Sequence, residues 1–137
     1  MLRCIDVVTL VVEQATYMFS ITQFGFHFQA SNLDALIIPG GFAPDYWRRD
    51  ERILQLVRDM DGAGKILASI CHGPWVLISA KVVKGRNVTC FVAIKDDVEN
   101  AGANYTDTSV VIDRNMVTSR IPKDLPDFCK AIISILK

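Results

Sequence analysis

The chain has 137 residues, half of them hydrophobic and 22% charged, and fifteen basic residues balance fifteen acidic ones. This apolar content excludes a disordered chain, and a net charge of zero leaves no basic footprint, so no nucleic acid is expected as a partner. Polar residues interrupt every apolar stretch well before the roughly 20 residues a membrane span requires, so no membrane partner is expected either.

The length suits one compact domain over residues 1–137. Near the N-terminus, Arg3 precedes an apolar stretch, but Asp6 interrupts it and no small-residue cleavage site follows. No signal peptide is read there, and the expected compartment is the cytoplasm. Residues 5–12, IDVVTLVV, are β-branched and nearly all apolar, as in a strand buried on both faces. Residues 17–29 alternate Tyr17, Phe19 and Ile21 with Ser20 and Thr22, which predicts a half-exposed strand or hairpin with Gly25 at a bulge or turn. A second buried run at 34–38 closes on Pro39-Gly40-Gly41, where glycines permit a tight turn and close backbone approach.

Ile53, Leu56, Val57 and Met60 share one face of a helix predicted over 45–61, which Gly62 and Gly64 terminate. A third buried run, 65–70, leads straight into Cys71-His72-Gly73-Pro74, and a helix follows as far as Gly85. Residues 87–93 and 109–112 read as strands. Asp113-Arg114-Asn115 reads as a hairpin turn before a strand at 116–119. A final helix over 123–136 would turn Leu125, Phe128, Ile132, Ile133 and Leu136 inward. Buried strands alternating with helices predict a mostly parallel sheet covered on both faces. In such sheets function collects at the carboxyl ends of the strands. The two strand ends with unusual chemistry are PGG at 39–41 and CHG at 71–73.

The cysteines stand at 4, 71, 90 and 129, without a CxxC pair or zinc spacing. Cys4, Cys90 and Cys129 read as small buried hydrophobes, and His27 as a bystander. The pair Asp96-Asp97 lacks converging ligands and reads as a solvated helix start. No phosphate-binding glycine loop is present. No metal and no cofactor are expected.

Cys71 differs because it lies between a buried strand and a helix. A side chain on such a turn projects into the cleft, and a helix N-terminus favours the thiolate. Amides of the turn at Gly73 and of a facing loop at Gly40 and Gly41 can receive a developing oxyanion. His72 is the adjacent base, but neighbouring side chains usually diverge, so the turn must bend both toward the cleft. The plain alternative is a buried cysteine beside a capping histidine. Trp47, Arg48 and Arg49 either line a cleft or contact, or form a solvated helix start.

The motifs PGG-x-A-P-[DE], A-S-I-C-H-G-P, K-D-D-x-x-N-A-G and S-R-x-P-x-D-L, in this order over residues 33–137, resemble the DJ-1/PfpI family, and its PfpI-like branch most. The resemblance implies a flavodoxin-like α/β three-layer sandwich with a mostly parallel sheet, related to class I glutamine amidotransferases. It implies Cys71 as nucleophile and His72 as its partner. In PfpI-like oligomers an acidic residue at the position of Asp45, lent by a neighbouring subunit, completes a triad. The competing reading of Asp45 is a helix N-cap.

PGG arrives earlier than in the family pattern, so the chain reads as N-terminally shortened. In one alignment residues 5–12 match the family's second strand, and the first strand, first helix and catalytic glutamate are absent. In the other, 5–12 is the first strand and Glu13 stands in for that glutamate, against a reading of Glu13 as a solvated strand end. A bared sheet face would favour a homo-oligomer.

The expected function is a cysteine-dependent hydrolase, as in a cysteine protease, or a glyoxalase or deglycase. The Cys71 thiolate would attack a small-molecule carbonyl such as an α-oxoaldehyde, or a peptide substrate. The alternatives are a non-catalytic redox or stress-response protein, a chaperone, or an inactive truncated member.

Overall fold

The computed structural model describes residues 29–136 together with the backbone of Val7–Thr9. The expected hairpin, Cys4, Glu13 and His27 lie outside the described residues. Among the described residues, seven strands run in chain order as β1 (Val7–Thr9), β2 (Ala35–Ile38), β3 (Ile66–Ile70), β4 (Asn87–Val88), β5 (Asn104–Tyr105), β6 (Val110–Asp113) and β7 (Met116–Ser119). Five α-helices intervene: α1 (Ala43–Trp47), α2 (Glu51–Gly62), α3 (Pro74–Ser79), α4 (Lys95–Asn100) and α5 (Leu125–Ile135).

The main sheet has the order β1-β2-β3-β7-β6. Its first four strands are parallel, with Val8 opposite Leu36, Leu36 opposite Leu67, and Ala68 opposite Val117. The β6–β7 hairpin adds the antiparallel edge, turning at Arg114 with φ 56°. β4 and β5 form a separate parallel pair.

The alternation along each strand divides the core into two clusters, as the pleat requires. Leu36, Ile38, Leu67 and Met116 pack with Val57 and Met60 of α2 and Val76 and Leu77 of α3. Ala35, Ala68, Ile70 and Val117 pack with Phe128 and Ile132 of α5. The sheet therefore lies between two helical layers. Burying one such large side chain contributes about 1.5–3 kcal/mol, so both clusters matter to stability.

Four departures from the sequence expectation have physical causes. The helix predicted over 45–61 is two helices. Asp50 is extended (φ −97°, ψ 110°) and caps α2 by accepting from the Arg52 backbone N–H, so the chain restarts there. The helix after Pro74 ends at Ser79, because Lys81 takes φ 64° and Val82 N–H reaches back to the Leu77 carbonyl at 3.2 Å. The strand predicted over 87–93 stops at Val88, because the donors beyond it go elsewhere: Thr89 N–H to Thr118 Oγ1 at 2.8 Å and Phe91 N–H to the Cys71 carbonyl at 3.1 Å. On α5, Phe128 and Ile132 are buried, whereas Leu125 and Ile133 stand 43% and 56% exposed. Its apolar arc is wider than the strip that the sheet covers.

Candidate active site

Ile66–Ile70 is buried throughout and fixes the direction in which the chain leaves the sheet. At its carboxyl end Cys71 adopts φ 61°, in the left-handed region that ordinary side chains avoid. The surroundings hold it there. Cys71 N–H donates to the Ser119 carbonyl at 3.0 Å, and its own carbonyl accepts from Phe91 N–H at 3.1 Å. Gly73 N–H closes the turn on the Ile70 carbonyl at 2.9 Å.

Two glycines make this turn fit. A Cβ on Gly73 would stand 2.5 Å from the Ile38 carbonyl oxygen and 2.9 Å from that of Ile70. A Cβ on Gly40 would stand 2.5 Å from Cys71 Cβ and 3.1 Å from Sγ. The PGG loop therefore lies directly against the thiol, and Gly41 turns it away with φ 75°. Among the described residues, the amides of Gly40, Gly41 and His72 donate to no recorded acceptor. Gly73, by contrast, spends its N–H on the turn. The His72 amide was not singled out by the sequence; its neighbour's backbone angle, which no motif displays, puts it beside the PGG loop.

The bend also resolves the question of adjacent side chains. Cys71 Sγ and His72 Nδ1 lie 3.3 Å apart, so thiol and imidazole face the same space. The imidazole is held between two rings, edge-on to Trp75 at 5.1 Å between centroids and tilted against Phe91 at 5.0 Å. Both distances lie in the range of favourable aromatic contact.

Asp45 is on α1, whose N-cap is Phe42, so Asp45 is in the first turn and is not the cap. Its carboxylate pairs with Arg49 of the same chain rather than with His72. Trp47 is buried in the core at 6% exposure, not solvated. Arg48 donates from Nε to Ser79 Oγ at 2.9 Å and lies over the Trp75 ring.

The later motifs also have structural destinations. Ser119 supplies the carbonyl that anchors Cys71, and its hydroxyl donates to the Ser109 carbonyl at 2.7 Å. Arg120 bridges Asp107 at 2.6 Å and Asp124 at 2.9 Å, and these partners raise its pKa further. A cavity of about 200 Å³ lies beside the turn, lined by Cys90, Phe91, Val92, Tyr105, Asp107, Arg120 and Ile121.

The other thiols differ from Cys71. Cys90 is fully buried, and burial, with the nearby charge of Asp97, pushes its pKa up to about 12. Cys129 is exposed rather than buried. Among the described residues, no cluster of three His, Cys, Asp or Glu side chains could hold a metal ion, and no helix is long and apolar enough to cross a membrane.

A cysteine on a strand-to-helix turn, faced by a glycine loop and lying 3.3 Å from the next residue's imidazole, has the geometry of a nucleophile elbow on an α/β sheet. The chain matches the DJ-1/PfpI family over residues 8–135 and belongs to it. It is 47% identical over 104 residues to a deglycase of Pyrococcus horikoshii, covering 76% of this chain and 63% of that one. It is 45% identical over 108 residues to a putative cysteine protease of Bacillus subtilis, covering 79% and 64% respectively. The chain thus spans less than two thirds of the length of these relatives.

In structure it resembles a two-domain protein of Anabaena variabilis with DJ-1/ThiJ/PfpI-like and ferritin-like domains. The TM-score is 0.79 at 45% identity, covering 80% of this chain and 32% of that one. The fold is the flavodoxin-like α/β sandwich with a mostly parallel sheet.

Proposed function

We propose that this protein is a cysteine-dependent enzyme of the DJ-1/PfpI type that attacks a carbonyl carbon with the Cys71 thiolate. The observation that carries the reading is the 3.3 Å approach of Sγ to His72 Nδ1 on a turn where Cys71 takes the uncommon left-handed φ of 61°. His72 takes the thiol proton. The thiolate adds to the carbonyl carbon, and the electron pair moves onto oxygen, where the free amides of Gly40, Gly41 and His72 receive it.

With an α-oxoaldehyde the oxyanion takes the proton back from His72 and a hemithioacetal forms. With an amide, His72 gives the proton to the departing amine and leaves a thioester for water to hydrolyse. The names of the relatives support both branches, since one is a deglycase and another a putative cysteine protease. Small α-oxoaldehydes and peptide or amide carbonyls are the proposed substrate classes.

Asp45, lent by a neighbouring subunit, would orient His72 in a homo-oligomer. Phe42 and Tyr46 flank it at 87% and 56% exposure, an aromatic pair that suits self-association. Glu13 remains the candidate for the family glutamate.

The test compares Cys71→Ala with Cys90→Ala in methylglyoxal consumption and in hydrolysis of a chromogenic amide. The expected result is loss to background in the first variant and retention in the second. Equal activity of the two variants overturns the assignment.

A further inference from the structure

The imidazole of His72 has a support that the proposed chemistry does not use. Its ring edge meets Trp75, and Trp75 is itself gripped on two sides. The indole Nε1 donates to Asp97 Oδ2 at 2.8 Å, and the Arg48 guanidinium lies 5.4 Å above the ring centroid. That distance is in cation–π range. Arg48 in turn is anchored on Ser79, at the end of the helix that begins with the elbow. On the other side Phe91 closes against His72 and is pinned through its own N–H to the Cys71 carbonyl. Trp75 and Phe91 thus bracket the imidazole, and the residue after α1 and the first turn of α4 hold Trp75 in place.

We propose that Trp75 and Asp97 are positioning residues for His72: the Asp97 carboxylate fixes the indole, and the indole fixes the imidazole in the rotamer that presents Nδ1 to Cys71. The inference rests on the reading of Cys71 and His72 as the working pair. An imidazole free to swing would spend part of its time away from the sulfur. Misplacement of about 1 Å is costly in such a pair. The indole N–H needs an acceptor and not a charge, so an amide oxygen at position 97 suffices. The charged or titratable groups facing these rings are Cys71 from the elbow, Arg48 from the segment after α1 and Asp97 from α4. Cys90 faces the core.

The test is the rate of Cys71 alkylation by iodoacetamide as a function of pH, read by peptide mass spectrometry on the full chain. The variants are Asp97→Ala, Asp97→Asn, Trp75→Phe and His72→Ala, with thermal melts confirming that each is folded. Asp97→Ala and Trp75→Phe are each expected to slow alkylation by about fivefold, the worth of one ordinary hydrogen bond, and to displace the pH profile in the direction that His72→Ala displaces it. Asp97→Asn restores the rate, and the Asp97→Ala/Trp75→Phe double variant loses no more than either single one. A purely structural role would change the melts and leave the profile in place. A profile that moves with His72→Ala but with neither Asp97→Ala nor Trp75→Phe overturns the positioning role alone. A profile indifferent to His72→Ala overturns the Cys71–His72 pair itself.

Discussion

The two ends of the central sheet are built on opposite principles. At the amino ends of β3 and β7, with the start of β4 from the smaller sheet beside them, polar groups satisfy one another. Arg86, 6% exposed, donates to Asp61 at 2.6 Å and to Asn115 at 2.9 Å. Asn115 donates to Asp61 and to the Lys65 carbonyl. Asp113 accepts from Asn87 N–H at 2.7 Å. At the carboxyl ends, the chain keeps a non-glycine residue at φ 61°, three amides without recorded acceptors and a thiol 3.3 Å from an imidazole. The first end ties α2 to the strands. The second keeps unspent donors beside the thiol, where a carbonyl attacked in the proposed reaction would use them. Mutually satisfied polar groups and unspent donors thus lie at opposite ends of β3.

The most forceful way to break this comparison is to attack the satisfied end. Arg86→Ala leaves the Asp61 carboxylate half-buried with only Asn115 beside it. The expected loss is about 3 kcal/mol, near the lower end for a broken buried pair because Asp61 keeps some access to water. Urea melts would measure it, and Cys71 in the folded fraction should alkylate at its original rate.

At the other end, Gly40→Ala forces a methyl to 2.5 Å from Cys71 Cβ. Carbonyl turnover is expected to fall about a hundredfold, with a smaller effect on the melting temperature. Full activity in this variant would mean that the PGG loop does not touch the working thiol. Cys71→Gly should abolish turnover and yet stabilise the fold by about 1 kcal/mol, since glycine relieves the left-handed backbone. A lower melting temperature would show that the turn is not strained.

The pH limits sharpen the contrast at smaller amplitude. The fold holds the Cys90 thiol protonated up to about 12, against an ordinary value of 9.0. The unfolded chain therefore releases a proton first, and stability should decline between pH 9 and about 12, a slope that Cys90→Ala removes. On the acid side, the Asn87 N–H holds the Asp113 carboxyl below its usual 3.8. Its contribution is present above that value and is lost as pH falls through the lowered one. Asp113→Asn should therefore flatten the acid limb of the melting curve.

Much of the fold was legible because it depends on patterns local in sequence. The runs at 34–38 and 65–70 are largely apolar and read as buried strands, and the structure places Ala35–Ile38 and Ile66–Ile70 inside the sheet. The turn at 113–115 announces its hairpin. The position of the elbow was legible for the same reason, since a buried strand before the cysteine and Gly-Pro after it are adjacent in sequence, whereas the contacts that hold its backbone come from Ser119 and Phe91. The helix ends were less so, since the same apolar spacing runs through Asp50 and Lys81, where capping and a left-handed residue intervene.

By itself, then, the sequence determined the main interior strands, the parallel class of sheet and the family motifs, and it singled out Cys71 as the candidate thiol. Tertiary structure alone decided that His72 turns back to the sulfur, that its amide joins those of Gly40 and Gly41, and that Asp97 and Arg48 meet on Trp75. It also decided which of the apolar positions on α5 reach the core. Each of these depends on contacts between segments distant in the chain, and on one backbone angle at Cys71 held by hydrogen bonds from Ser119 and Phe91. Periodicity fixes which face a side chain takes along its own element; only the packing of several elements fixes what it meets there.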